Sequence, residues 1–265
     1  MSPSPILAAV QSCPRLARSP ADVKDNIRRS APLVERAAAL GASLIVMPEL
    51  CATGYSFLGP EEAAMVAEPP DGQTFQAFRQ LAVRAGAYLA YGFVEDSGTD
   101  LHNSAIILSP SGEMVSHVRK CFLAGSDYLW AQAAPDAPEI VETDLGRMAA
   151  VVCRDLKDDP PGSAEGAEGG LFGGQPVDIV CGLTNWGKGF FPSAKWIEFA
   201  QGNECVLVVS NRWGYEVNES ERHGKYASDF GDGGSCIVGP EGRVYIQGLR
   251  FGEDCVVAAR PEVGR

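Results

Sequence analysis

Short apolar runs recur along the whole chain and predict β-strands. Several of them are apolar almost throughout, as in residues 148–153. Such runs are typical of strands that are covered on both faces. The predicted strands occupy residues 6–10, 43–47, 88–94, 104–108, 114–118, 148–153, 177–181, 205–210, 235–238, 244–247 and 255–259.

Apolar residues at helical spacing predict three helices. The first has Ser19 as its N-cap and Pro20 at its first helical position, and it ends at Gly41. Pro32 lies inside this pattern, so we expect a kink or a break into two shorter helices there. The other two helices are predicted at 74–85 and from about residue 193 to 202.

The order of these elements predicts an α/β layered fold with its helices outside the sheets, because strands alternate with helices before further strands follow. No linker divides the chain, so residues 1–265 are expected to form one domain. The stretch 158–176 is rich in glycine and proline and is predicted to be a loop.

The composition indicates which binding partners and which cellular compartment to expect. Lys plus Arg number 22 against 34 Asp plus Glu, a formal net charge of −12, which argues against nucleic acid and an anionic membrane surface as partners. The apolar runs are too short to span a bilayer, and the first residues do not have the features of a signal peptide. The eight cysteines include no CxxC pair, so we expect mostly buried thiols in a reducing cytoplasm.

Several common site types do not fit the sequence. Residues 182–189 come close to a phosphate-binding loop, but Gly189 stands where a Ser or Thr should hold magnesium. A nucleotide-binding protein that uses Gly187 and Lys188 is therefore the weaker alternative. The three histidines have no metal-ligand spacing, so no metal is expected, and there is no GxSxG motif.

Three reactive side chains follow predicted strands. Glu49 comes after the strand at 43–47, Lys120 after the strand at 114–118, and Cys153 ends the strand at 148–153. Each of them has an ordinary explanation when it is taken alone. Glu49 would be a surface charge at the end of a strand, Lys120 a solvated ammonium, and Cys153 a thiol packed in the core. Together, a carboxylate, an ammonium and a thiol form a plausible nucleophilic site, since the ammonium can stabilise a thiolate and an oxyanion while the carboxylate moves the proton.

Read together, these residues and their surroundings resemble the nitrilase, or carbon–nitrogen hydrolase, superfamily. The matching segments are LIVMPEL at 44–50, TGY at 53–55, RK at 119–120, VVCRD at 151–155, TNW at 184–186, VVSNRWG at 208–214, DGGS at 232–235 and GPEG at 239–242. They keep their order over nearly the whole chain, so chance is an unsatisfactory explanation.

The resemblance implies a four-layer αββα sandwich and a Glu–Lys–Cys triad. Cys153 would be the nucleophile, Glu49 the general base and acid, and Lys120 the electrostatic stabiliser, with the backbone N–H of Arg154 completing an oxyanion hole. It further implies a thioester intermediate, no metal or organic cofactor, and a homodimer or larger homo-oligomer.

The expected substrate is a small molecule, and an amide that releases ammonia is the first hypothesis. Nitrile hydrolysis, N-carbamoyl hydrolysis and transfer of the acyl group to an amine stay open, and a non-catalytic binding protein on this fold is the remote alternative. Many members carry a second Glu after the Lys; here Asp127 or Tyr128 takes its place. The stretch 158–176 replaces the turn that often follows the family's cysteine.

Candidate substrate contacts are Tyr55, Asp127, Arg154, Asn185 and Trp186. Tyr55 and Trp186 would form apolar walls. Arg154, with Lys157 and Arg212 as further basic groups, would bind a substrate carboxylate through bidentate hydrogen bonds. The alternative is that Arg154 pairs with Asp155 or another carboxylate and only braces the loop.

Overall fold

Two six-stranded mixed sheets form the centre of the computed structural model, which describes residues 4–156, 170–187, 189, 191–220, 225–249 and 252–263. The first sheet has the order β14-β1-β2-β3-β4-β5, with β1, β2 and β3 parallel to one another and the other pairs antiparallel. Its strands are β1 (Ile6–Gln11), β2 (Ala42–Val46), β3 (Tyr88–Asp96), β4 (Leu101–Leu108), β5 (Met114–Arg119) and β14 (Cys255–Ala259).

The second sheet has the order β13-β12-β9-β8-β7-β6, with β7, β8 and β9 parallel. Its strands are β6 (Val141–Thr143), β7 (Gly146–Val152), β8 (Ile179–Thr184), β9 (Val206–Asn211), β12 (Cys236–Val238) and β13 (Val244–Gln247). All eleven strands predicted from apolar runs are present with small shifts at their ends. The short, half-buried β6 was not predicted, because it has no apolar run.

The helices are α1 (Pro20–Ala39), α2 (Pro60–Ala64), α3 (Gln73–Ala85), α4 (Asp127–Trp130) and α5 (Ala194–Gly202). α1 begins as predicted, with the Ser19 hydroxyl accepting a hydrogen bond from the Asp22 amide at 3.3 Å. The expected break at Pro32 is wrong, since α1 is one helix through this residue. A proline removes one helical hydrogen bond, whereas the stripe from Val23 to Ala37 stays buried along the whole helix.

Alternating side chains place each sheet between two apolar layers. Leu7 and Ala9 of β1 face the second sheet and pack with residues such as Met148 and Val152 of β7. The other face of the first sheet packs on the apolar sides of α1 and α3, and the other face of the second packs on α5. The predicted αββα sandwich is confirmed.

A two-stranded hairpin, formed by β10 (Trp213–Ser220) and β11 (Lys225–Asp232), lies between β9 and β12 in the chain and was not predicted. Its sequence is polar and its buried side chains include Glu216 and Asn218, so it has no apolar run to indicate a strand. Within the predicted loop 158–176, residues 158–169 lie outside the described part. Gly170–Phe172 form a 3₁₀ turn whose Leu171 and Phe172 are buried.

Within these described ranges, no helix is long and apolar enough to cross a membrane.

Candidate active site

The structure brings together side chains that follow strands of both sheets. Glu49 comes three residues after β2, Lys120 directly after β5, and Cys153 directly after β7. All three are buried, with exposed fractions of 0%, 1% and 7%. Glu49 is held close to β3, since a Cβ on Gly92 would lie only 2.6 Å from the Leu50 amide nitrogen and 3.2 Å from the Glu49 Cα. Only a glycine at position 92 allows this approach without a shift of the backbone.

The Lys120 ammonium joins two buried carboxylates. Its Nζ donates to Glu49 Oε1 at 2.7 Å and to Asp127 Oδ2 at 2.6 Å. Burial alone would lower the pKa of Lys120, but the charges of Asp127 and Glu49 raise this pKa well above its usual value. Lys120 is therefore a fixed cation at neutral pH. Tyr128 is 65% exposed, so Asp127 is the residue of α4 that contacts the lysine.

Asn103 of β4 bonds to the same two carboxylates, a contact that the sequence did not suggest. Its Nδ2 donates to Glu49 Oε1 at 2.8 Å and to Asp127 Oδ1 at 3.1 Å. The one available signal was an amide side chain directly before the predicted apolar strand 104–108, because a buried amide must find hydrogen-bond partners.

Cys153 begins a 3₁₀ turn, Cys153–Leu156, with a left-handed backbone φ of 50°. Such a conformation costs free energy in a residue with a side chain and often marks a functional turn. Burial and the charge of Glu49 raise the pKa of the thiol well above its usual value, and Lys120 and a hydrogen bond from the Asn185 backbone only partly oppose this. The thiol is thus protonated at neutral pH.

The two carboxylate oxygens of Glu49 differ in their hydrogen bonds. Oε1 accepts from Lys120 and Asn103, while the buried Oε2 has no hydrogen-bond partner among the described residues. A buried carboxylate oxygen without a donor is well suited to accept a proton. The arrangement therefore combines a protonated thiol, a proton acceptor and a fixed cation.

Asp155 connects the Cys153 turn to the loop after Lys120. Its carboxylate accepts from the backbone amides of Cys121, at 3.1 Å, and Phe122, at 2.7 Å. Burial raises the pKa of Asp155 to about 7, although these amides and Lys120 oppose the rise. The sequence suggested Asp155 only as a partner of Arg154 and did not reveal this link.

The aromatic ring of Tyr55 lies next to the Lys120 ammonium. Its ring centre lies 5.6 Å from Lys120 Nζ, and its hydroxyl donates to the Ala124 carbonyl. The backbone of this segment is held by Glu216, whose Oε1 accepts from the amides of Tyr55 at 2.8 Å and Ser56 at 2.6 Å.

Comparison with known proteins shows the family of this chain. The sequence profile described as "Carbon-nitrogen hydrolase" matches residues 6–263. The chain belongs to the carbon–nitrogen hydrolase family. The resemblance found from the sequence motifs is thereby confirmed.

Two relatives and one solved structure illustrate the breadth of this family. An aliphatic nitrilase of Sinorhizobium fredii is 31% identical over 95% of this chain and 84% of its own. A deaminated glutathione amidase of Rattus norvegicus is 26% identical over 82% of this chain and 70% of its own. A cysteine-to-alanine mutant of an amidase from Nesterenkonia AN1 superposes with a TM-score of 0.77, at 19% identity, over 97% of this chain and 90% of its own.

The basic residues suggested for this carbon–nitrogen hydrolase lie in different surroundings. Arg212 is 3% exposed and forms an ion pair with Glu216 of the hairpin at 3.1 Å. Its part in substrate binding stays a prediction. Arg154 is half-buried, and Lys157 lies outside the described residues.

Asn185 and Trp186 follow β8 and lie beside the thiol. Asn185 hydrogen-bonds to Cys153 through its backbone. Trp186 is half-buried and packs edge-to-face on Trp196, with ring centres 5.6 Å apart. Asn211 fixes this turn, since it accepts from the Trp186 amide at 2.7 Å and donates to the Trp186 carbonyl at 2.9 Å.

The described residues contain no group of three or more His, Cys, Asp or Glu side chains that could hold a metal ion. Lys188, the lysine of the alternative phosphate-binding loop, lies outside those residues.

Proposed function

We propose that this protein hydrolyses the C–N bond of a small amide and releases ammonia and a carboxylic acid through a thioester on Cys153. The observation that carries the proposal is the buried ion-pair cluster of Glu49, Lys120 and Asp127 beside a protonated thiol. Such a cluster is costly to bury and is rarely kept for stability alone.

In the first half of the reaction, Glu49 Oε2 accepts the thiol proton while Sγ attacks the carbonyl carbon. The negative charge that develops on the carbonyl oxygen is stabilised by Lys120 Nζ and the backbone N–H of Arg154. Glu49 then gives its proton to the leaving nitrogen, the C–N bond breaks, and ammonia departs from a thioester.

In the second half, water attacks the thioester carbonyl and Glu49 accepts a proton from it. The C–S bond breaks, the sulfur recovers the proton from Glu49, and the carboxylic acid leaves. Lys120 keeps its charge throughout, because its raised pKa makes it a poor proton donor. Its role is electrostatic.

The substrate contacts belong to the same proposal. Tyr55 and Trp186 would line an apolar pocket for the body of the substrate. Asp127 would act through Lys120, and Asn185 through the hydrogen bond of its backbone to the thiol. Arg154 would either bind a substrate carboxylate or brace the turn.

A nitrile is the second candidate substrate, favoured by the 31% identity to an aliphatic nitrilase. A nitrile carbon can be attacked by the same thiol; one water then converts the thioimidate to the thioester with loss of ammonia, and a second water releases the acid, so both acid oxygens come from water. Ammonia release from propionamide, propionitrile and N-carbamoylglycine would rank amide, nitrile and N-carbamoyl hydrolysis directly.

Cys153→Ala should abolish turnover of the preferred substrate in this panel and leave the fold intact. Removal of a covalent nucleophile lowers kcat by several orders of magnitude. The measurement is ammonia release together with the intact mass of the protein after rapid quenching, where the wild type should show an acyl adduct and Cys153→Ala should show none. Cys205→Ala, at another buried cysteine, is the control and should keep its rate. A Cys153→Ala protein that retained about a tenth of wild-type activity would contradict the proposal.

A further inference from the structure

Four buried side chains close a ring of hydrogen bonds beside the thiol. Lys120 and Asn103 each donate to both Glu49 and Asp127, and all four residues are 1% exposed or less. The backbone strengthens the ring, because the Lys120 amide donates to the Asn103 carbonyl at 2.8 Å. Asn103 thus donates to the same two carboxylates as Lys120 but carries no charge.

The two donors act on one oxygen of Glu49. An ammonium is a rotatable point charge and on its own does not fix the plane of a carboxylate. A second donor from a rigid strand, the Asn103 amide, restricts rotation of that plane and leaves Oε2 as the unpartnered oxygen. The same amide group also bonds Asp127, so it sets the spacing of two like charges.

We propose that Asn103 is a positioning residue. It orients the Glu49 carboxylate so that Oε2 accepts the thiol proton, and it keeps the Asp127 carboxylate in place to accept a hydrogen bond from Lys120. This inference rests on the proposed function. It adds a role for an uncharged residue outside the Glu–Lys–Cys triad. Asn103 acts through Glu49 and does not touch the substrate.

Asn103→Leu tests the role, because leucine has a similar volume and no donor. The probe is iodoacetamide, with alkylation of Cys153 followed by peptide mass spectrometry. We expect the rate constant at pH 7 to fall about tenfold or more, since a poorly oriented base removes the proton less effectively. A base that is displaced but still present should lower kcat for propionamide more than it changes KM, a split that a general loss of stability would not produce.

Ser104→Ala is the matched control, because Ser104 is the next residue of β4, is equally buried and bonds to Glu95 instead. It should keep both the alkylation rate and kcat. Should Asn103→Leu fail to fold, Asn103→Asp keeps the shape of the side chain but replaces the NH₂ donor with an oxygen, so it should lower the alkylation rate at pH 7 in the same way. Folded variants with a wild-type alkylation rate and wild-type kcat would overturn the inference.

Failure of this inference can be told apart from failure of the proposed function. The Cys153→Ala protein is assayed alongside for ammonia release from propionamide, propionitrile and N-carbamoylglycine. An inactive Cys153→Ala with an unaffected Asn103→Leu refutes only the role of Asn103. An active Cys153→Ala refutes the thioester reaction itself.

Discussion

The carboxyl group of Asp155 is buried where a charge is expensive, yet it accepts two backbone amides that favour the charged form. Because burial dominates, its pKa in the folded protein, about 7, lies above the usual value of 3.8. Between these two values the folded chain keeps a proton that the unfolded chain has released. The free energy of unfolding should therefore fall as the pH rises through this window.

Asp155→Asn should remove this pH dependence, because the side chain is then neutral at every pH. From pH 5.5 to pH 8 the wild type should lose about 2 kcal/mol of stability relative to the variant. Urea unfolding at both pH values measures the difference. The exposed Asp100 gives the control, and Asp100→Asn should follow the wild type. An equal change in the free energy of unfolding between the two pH values in the wild type and in Asp155→Asn would refute the raised pKa of Asp155.

At the scale of residues, the sequence identified reactive groups but not the groups that hold them. Glu49, Lys120 and Cys153 could be found because a charge or thiol directly follows an apolar strand. Asn103 and Asp155 could not, since their roles depend on atoms of other strands and loops that only the folded chain brings within 3.1 Å.

Among the elements, the β10–β11 hairpin supports the site from outside the two sheets. Its Glu216 is buried, pairs with Arg212 and holds the backbone at Tyr55 and Ser56. Loss of this carboxylate would leave the Arg212 guanidinium buried without that counter-charge. It would also free the segment that lies over Lys120.

Glu216→Gln should lower the free energy of unfolding by about 2 to 4 kcal/mol, as expected when one partner of a buried ion pair is removed. Urea unfolding is the measurement. Glu198→Gln makes the same change in an exposed pair, where Lys195 Nζ lies 2.7 Å from Glu198 Oε2. Glu198→Gln should lower the free energy of unfolding by less than about 1 kcal/mol. Equal losses in the two variants would show that Glu216 has no special structural role.

The elements themselves were predictable to different degrees. Strands with apolar faces, such as β7 and β8, were found because both of their faces are buried in the sandwich. The hairpin was missed because its buried face carries Glu216 and Asn218, which are satisfied by partners far away in the sequence. Pro32 was misjudged because packing of α1 outweighs one lost hydrogen bond.

For the molecule as a whole, the site exists only because the two sheets pack face to face. The first sheet supplies Glu49, Asn103 and Lys120 at its strands or just after them, and the second supplies Cys153. Periodicity can predict each strand, but it contains no information on which strand ends of different sheets meet. That pairing came from the family resemblance.

The ring beside the thiol contains two carboxylates and one ammonium, so its formal charge is minus one. Transfer of the thiol proton to Glu49 and attack on a neutral amide conserve this total, and no charge has to enter or leave the protein interior. A substrate carboxylate close to the reacting carbon would add a second negative charge. If this carboxylate lies roughly 6 Å from the negative charge of the ring, at an effective dielectric constant of about 20, the two charges repel by about 3 kcal/mol, or ~10²-fold in kcat/KM.

The protein should therefore prefer propionamide to malonamate, in which a carboxylate replaces the methyl group, by at least about tenfold in kcat/KM. Arg154→Met should leave this preference unchanged and lower the melting temperature, as a bracing residue would. A wild type that prefers malonamate, with KM for malonamate alone rising in Arg154→Met, would instead assign Arg154 to the substrate. The net negative charge of the ring should thus select substrates by charge: neutral acyl groups should be accepted, and acids that no cation accompanies should be excluded.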